Sequence, residues 1–338
     1  MTDGASVPSD NDLFIEKGNK KMYRIGIDLG GTNIAAGLVN EKGEIVKKLS
    51  VPTNADRAAE EIAADIARLC HGLCEDGGIS ASDVLSVGIA SPGIADDESG
   101  MVIYANNLPF RNFPIRKLVS EGFYNKPVHI ANDANAAALG EAAFGAANGT
   151  NNSIMITLGT GVGGGIIIDK KIYCGSNGAG GELGHIVIEY QGRPCSCGRR
   201  GCWEAYSSAT ALIKMTKEKL EECHAAGRPT IMDELVAKKG KVSGITAFAA
   251  MREGDAAGKE VVDMYLSYLA VGLANIVNIF QPEVISLGGG ISNEGQSLVD
   301  ALVPLIQKEQ YGGDIVKVAD IKIAKLGNDA GIIGAAML

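Results

Sequence analysis

This sequence predicts an α/β protein of two lobes with a ligand cleft between them. Three observations point there. LGGTNIAAGLVNEKGEI, from Leu29, reads as a strand end, a Gly/Thr turn, a second strand and a polar turn, and LGTGVGGGIIIDKKI, from Leu158, repeats that plan with weak identity. Strand-like apolar runs alternate with segments of helical period in both halves. At 338 residues the chain also exceeds the size at which one hydrophobic core usually keeps growing.

The elements follow in order. KMYRIGIDLG is an apolar run into a glycine turn, NIAAGLVN a second strand, and EIVKKLSVP a third in which apolar and polar residues alternate. DRAAEEIAADIARLCHGLCED carries apolar residues at about 3.6-residue spacing and predicts an amphipathic helix. DVLSVGIASPG and KPVHIAND read as short buried strands, the second running into the helix ANAAALGEAAFG. The later half offers a long helix, GKEVVDMYLSYLAVGLANIVNIFQ, then the strand EVISLGGG, a helix from Asn293 and a last helix in NDAGIIGAAML. The expected division is a small lobe of residues 22–130 with 325–338 and a large lobe of residues 131–324. Residues 1–21 are polar, lack a signal-peptide core and are expected to form a disordered leader, with Met22 a candidate functional start.

Composition narrows the function. Apolar residues make up 46% and charged residues 21%, a globular balance. A net charge of −9 runs against a nucleic-acid footprint and against binding to an anionic membrane. No apolar run of membrane-spanning length stands out. The seven cysteines are an odd number in a chain of cytoplasmic character, so a metal site or free thiols are expected rather than a disulfide framework. Cys70, Cys74, Cys174 and Cys223 read as small buried hydrophobes.

The glycine turns invite a phosphate. Their backbone N–H groups can form an anion nest. No GxxxxGK[ST] is present, and GTGVGG at residues 159–164 is followed by a strand, so neither a P-loop nor a dinucleotide fingerprint fits. LGGG at residues 287–290 adds a third loop of close approach. Asp28 ends the first strand just before the glycines. It reads either as a turn cap or as an outer-sphere carboxylate for nucleotide-bound Mg2+, an ion that keeps most of its waters.

Asn132 and Asp133 stand at a strand-to-helix junction, where such residues commonly cap helices. A carboxylate there is also placed to accept a proton from an alcohol in phosphoryl transfer. His185, Cys195, Cys197 and Cys202 supply N and S donors for a tetrahedral Zn2+ with no open position, hence structural. The metal would fix QGRPCSCGRRGC, which has almost no apolar residues of its own. Glu182 and Glu204 flank that loop. Carboxylates with an Asn amide suit the adjacent hydroxyls of a polyol, and a metal-bound His185 keeps one ring N–H to donate.

Taken together, IGIDLGGTN, the SPG loop, NDANAAALGE, GTGVGGG, GGELGH, CSCGRRGCWE and LGGG resemble the ROK family of sugar kinases (repressors, open reading frames and kinases), closest to its bacterial glucokinases. The similarity runs from about Met22 to the C-terminus. It implies an actin/hexokinase-type fold of two RNase H-like lobes, with ATP and Mg2+ in the cleft. It implies Asp133 as the base for the 6-hydroxyl of a hexose, with Asn132, Glu182, His185 and Glu204 holding other hydroxyls, joined by Gly93 and Asn106. By the same similarity Gly30, Gly31, Thr32, Gly159, Thr160 and Gly161 cradle phosphates, and Gly289 and Gly290 approach the adenosine. Glucose is the expected substrate, and N-acetylmannosamine, N-acetylglucosamine or fructose the alternatives. Family repressors carry a helix-turn-helix domain before this core, for which some twenty polar residues are too few. The resemblance also implies a homo-oligomer, a dimer or tetramer. Ala95 departs from the larger aliphatic residue of many relatives, which bears on loop packing alone.

Overall fold

The computed structural model describes residues 21–338. The leader expected over residues 1–21 lies, apart from Lys21, outside the described residues.

The chain opens with an antiparallel meander of β1 (Tyr23–Leu29), β2 (Asn33–Val39) and β3 (Ile45–Pro52). Helix α1 (Ala59–Gly77) buries Ile62, Ile66, Leu69, Cys70 and Leu73, the apolar stripe its spacing predicts. It ends at Gly78, whose left-handed backbone lets its N–H reach the carbonyls of Cys74 and Glu75. Strand β4 (Val84–Ser91) runs parallel to β1. A small antiparallel sheet follows that the apolar patterning did not predict: β5 (Ile94–Asp96), β6 (Met101–Tyr104) and β7 (Arg111–Phe113). These strands have three or four residues each, too short to display a period. Then come α2 (Ile115–Gly122), β8 (Val128–Asn132) and α3 (Asp133–Phe144).

The plan then starts again with β9 (Ser153–Leu158), β10 (Val162–Ile168) and the two-residue β11 (Lys171–Ile172). After the cysteine loop come α4 (Glu204–Ser207), α5 (Ala209–Ala225), α6 (Ile231–Lys239), α7 (Thr246–Arg252) and α8 (Ala256–Phe280). Strand β12 (Val284–Gly288), α9 (Gln296–Glu309), β13 (Asp320–Ile323) and α10 (Ala330–Ala336) complete the chain. The helix expected from Asn293 begins at Gln296, after a short 3-10 turn over Gly290–Glu294. Helix α8 is apolar enough to span a bilayer by composition, yet Val261, Val262, Leu266, Leu269 and Leu273 are buried in the protein.

Among the described residues, the two larger sheets have matching orders, β3-β2-β1-β4-β8 and β11-β10-β9-β12-β13. The repeat seen at Leu29 and Leu158 is thus a repeat of whole-sheet topology.

The chain forms two compact units. One comprises the described residues up to Met155 with Gly165–Gly181 and Ala324–Leu338, and the other Ile156–Gly164 and Glu182–Ile323. The expected boundary at residue 131 falls elsewhere, because α3 packs on α10. A Cβ at Gly334 would overlap Ala136 O, and one at Gly140 would stand 2.7 Å from Ala330 O. The same helix lies against the central strands, where a Cβ at Gly26 or Gly88 would overlap the carbonyl oxygens of Ile332 or Ala335. Buried Glu141 ties this assembly from inside. Its carboxylate accepts the N–H groups of Ala146 (2.6 Å), Lys325 (3.1 Å) and Leu326 (2.7 Å), joining the end of α3 to the segment that leads into α10.

Replacing glycine by alanine inside a helix ordinarily stabilises it by about 1 kcal/mol. Gly334→Ala is expected to do the reverse, because the new methyl meets backbone that has no room to yield. Overpacking of this kind costs roughly 1–3 kcal/mol or more, so thermal unfolding should shift several degrees downward. An unchanged or raised Tm would contradict the packing described for α10.

Candidate active site and metal centre

Two carboxylates stand out in the first unit. Asp28 lies near the end of β1, with the α10 backbone at Gly331 close enough that a Cβ there would stand 3.1 Å from its carboxyl carbon. Burial, and after it the negative charge of Asp133, pushes the Asp28 pKa up to about 6, with Lys48 pulling the other way. Asp133 is the first residue of α3. Its side chain is exposed, yet the protein packed close around it raises its pKa from the ordinary carboxylate value, while the Ala134 N–H, 2.8 Å from Oδ1, holds it down. Two mutually repelling carboxylates are a setting that a divalent cation relieves, so this donor set fits Mg2+.

Asn132 caps α3. Its Oδ1 accepts the N–H groups of Ala134 (2.9 Å) and Asn135 (3.3 Å), and its Nδ2 donates to Gly93 O at 3.0 Å. The capping reading and the site reading therefore meet in one side chain. Gly93 has a φ of +84°, and a Cβ there would overlap Tyr104 O, so only glycine fits. Asn106 sits on the adjoining loop and accepts the Tyr104 hydroxyl at 3.0 Å.

Each glycine turn closes on itself. Gly30 N–H donates to Asn33 O (2.9 Å), and Gly159 N–H to Gly161 O (3.0 Å). Those two N–H groups are therefore not open to a phosphate, which corrects the expectation that every glycine of the turns cradles one. Gly289, with a φ of +81°, lets the end of β12 pass Leu158, whose backbone a Cβ would approach to 2.6 Å. Close strand packing thus explains Gly289, whereas a Cβ at Gly290 would meet nothing within 4 Å.

In the second unit the cysteine loop folds on short bridges, Val187 with Cys202 and Pro194 with Arg200. The side chains of His185, Cys195, Cys197 and Cys202 converge, and their ligand atoms all lie within 4.8 Å of one another. Cys197 Sγ is 3.6 Å from Cys202 Sγ, and Cys195 Sγ is 3.7 Å from His185 Nδ1. A tetrahedral zinc site with Zn–S bonds of about 2.3 Å has edges of about 3.8 Å, so the four donors fit Zn2+. Burial and the neighbouring thiols push the Cys202 thiol up to about 12, whereas the Arg199 backbone N–H holds Cys197 below its usual value. Three thiolates so close together need a cation to balance them. Glu182 precedes the short turn Leu183–His185, and its carbonyl accepts the His185 N–H at 3.0 Å. Glu204 begins α4, where its Oε2 accepts the Val162 N–H at 3.1 Å and its Oε1 the Ser196 hydroxyl at 3.3 Å.

The sequence pattern of the ROK family matches residues 24–338. The chain belongs to the ROK family. It is 39% identical to a glucokinase of Halalkalibacterium halodurans, over 94% of each chain. It is similar to the crystal structure of a ROK family glucokinase from Streptomyces griseus in complex with glucose and AMPPNP, with a TM-score of 0.75 and 35% identity over 93% of this chain and 98% of that one. A xylose repressor of Caldicellulosiruptor bescii is 32% identical over 92% of this chain and 76% of its own length. The fold is accordingly the actin/hexokinase type of this ROK protein's relatives, as the repeated sheet order indicates.

Several residues that hold the turns and loops of each unit gave no local signal. The buried Thr53 donates its hydroxyl to Gly30 O (2.6 Å), and Thr210 donates to Thr160 O (2.8 Å), so each turn is held by a threonine distant in sequence. Arg111 lies 4.1 Å over the Tyr104 ring and donates to Ala105 O (2.8 Å) and Phe110 O (2.7 Å), bracing the Asn106 loop. Trp203 is fully buried against α8, where the missing side chain of Gly272 makes room for its indole.

One zinc per chain is expected by elemental analysis of fresh protein, and Cys197→Ala should lose it. Wild type folded without metal would contradict this assignment. For Asp28 the pKa is raised on folding, so its stabilising contribution is full below the unfolded value near 3.8 and is lost as pH rises through about 6. Asp28→Asn should therefore stabilise the ligand-free protein at pH 7.5 by up to about 3 kcal/mol, with the gain shrinking towards pH 4. Melting curves across that range test it, and a pH-independent difference would contradict it.

Proposed function

We propose that this protein is an ATP-dependent hexose kinase that transfers the γ-phosphoryl group to the 6-hydroxyl of glucose. One observation carries the reaction type. Asp133 opens α3 beside the Asn132 cap, and its pKa is raised by its surroundings. A carboxylate whose pKa is raised is a better proton acceptor than one at its ordinary value. The glucokinase relatives, at 36–39% identity, support glucose as the substrate. The xylose repressors stand further off, at 30–32%.

The roles divide as follows. Asp133 takes the proton of the 6-hydroxyl and orients its oxygen for in-line attack. Asn132, Glu182, His185 and Glu204 hold the other hydroxyls, with Gly93 and Asn106 shaping the neighbouring loop. Gly31, Thr32, Thr160 and Gly161 offer backbone to the phosphates, and Gly290 leaves space near the adenosine. Asp28 would hold Mg2+ through its water shell, and that ion, when bound, offsets charge on the β- and γ-phosphates. Zn2+ on His185, Cys195, Cys197 and Cys202 is structural. The enzyme works in the cytoplasm, where ATP is made and thiols stay reduced, as a homo-oligomer.

An ADP-release assay across glucose, mannose, fructose, N-acetylglucosamine and N-acetylmannosamine should give glucose the highest kcat/KM. Asp133→Asn should lower kcat by about 10²–10⁴-fold while glucose still binds. No ADP release with any sugar would overturn the kinase reading, and an N-acetyl sugar in first place would overturn glucose alone.

A further inference from the structure

The glycine turn at residues 159–162 is gripped by the two ends of the cysteine loop and by the helices that follow it. Glu204 Oε2 accepts the Val162 N–H at 3.1 Å. On the same residue's other side, a Cβ at Gly184 would overlap Val162 O, so the segment between Glu182 and His185 lies flush against the turn. Ala209 N–H donates to Gly159 O, and the Thr210 hydroxyl to Thr160 O, both at 2.8 Å. A Cβ at Gly161 would overlap Glu204 Oε2, so a methyl there would have to push this carboxylate aside. Among the described residues the other oxygen, Oε1, meets the exposed Ser196 hydroxyl at 3.3 Å and the Cys195 thiol at 3.8 Å.

We propose that Glu204 is a positioning residue for the nucleotide turn as well as a sugar ligand, with one carboxylate oxygen serving each. This rests on the reading of Glu204 as a hydroxyl ligand and of residues 159–162 as a phosphate turn. Because a single carboxylate serves both, anything that moves it away from the turn also moves it away from the sugar. By linkage, the two ligands then favour each other's binding. The turn glycine, which contacts no sugar hydroxyl, becomes a determinant of sugar affinity.

The experiment measures binding without turnover, by calorimetry on the full-length zinc-loaded protein. Glucose alone and Mg–AMPPNP alone are titrated into wild type, Gly161→Ala, Glu204→Ala and Glu204→Gln. In Gly161→Ala the methyl displaces the flexible end of Glu204, so glucose affinity should fall about tenfold or more with no nucleotide present. In Glu204→Ala the affinity for Mg–AMPPNP should fall about as much with no sugar present. Glu204→Gln keeps an oxygen for the Val162 N–H and should retain nucleotide affinity while binding glucose poorly. Unchanged glucose affinity in Gly161→Ala, or equal losses of nucleotide affinity in Glu204→Ala and Glu204→Gln, would overturn the proposal and leave the kinase reading intact. Wild type that binds neither ligand would overturn both. If Glu204→Ala fails to fold, the other two variants decide the matter.

Discussion

The first unit's chemistry depends on how closely backbone meets backbone around α10. Helix α10 lies against β1, β4 and α3 at places where glycine removes the side chain that would keep them apart. This contact buries Asp28 beneath the start of α10 and fixes where α3 begins, hence where Asp133 stands. The two carboxylates are then close enough for one to raise the pKa of the other. The negative charge of Asp133 near Asp28 is a property of the fold that the ligand-free protein must tolerate. Glu141 supports the same arrangement from within, since a buried carboxylate with three N–H donors is worth far more than an exposed one.

The second unit solves a different problem. Its site loop is polar and glycine-rich, and few apolar residues could hold it in place. The bridges within the loop, the Trp203 anchor on α8 and the four converging metal donors take over that task. Fixed in this way, the loop carries carboxylates at both ends in defined positions. For phosphoryl transfer this matters more than any single acid or base, because positioning and electrostatics carry most of the barrier reduction. The same reasoning explains why the second glycine turn is held from outside as well, by Glu204, Ala209 and Thr210, in addition to its own Gly159–Gly161 hydrogen bond.

Much of this was legible in the chain as written. The strand–turn–strand repeat, the amphipathic period of α1, the capping pair at the start of α3 and the cysteine spacing are local patterns, and local patterns survive in sequence. The three-stranded sheet of β5, β6 and β7 was not legible because its strands are shorter than any usable period. The boundary between the units was misplaced because it depends on which helix α3 packs against, a matter of long-range contact. Thr53, Thr210 and Arg111 escaped notice for the same reason, since their partners are near only in the folded chain.

The sequence by itself determined the class of protein, the duplicated architecture, the quartet of nitrogen and sulfur donors and the residue types available to the reaction. Hydrophobic period, glycine placement and donor chemistry are properties of neighbouring residues. Only the tertiary structure decided how those residues are used. It spends the N–H groups of Gly30 and Gly159 inside their own turns, assigns Gly289 to strand packing, and brings the Glu204 carboxylate onto Val162 N–H. It raises the Asp28 pKa to about 6. Burial, charge proximity and the direction of a hydrogen bond depend on distances through space, which the order of residues along a chain does not record.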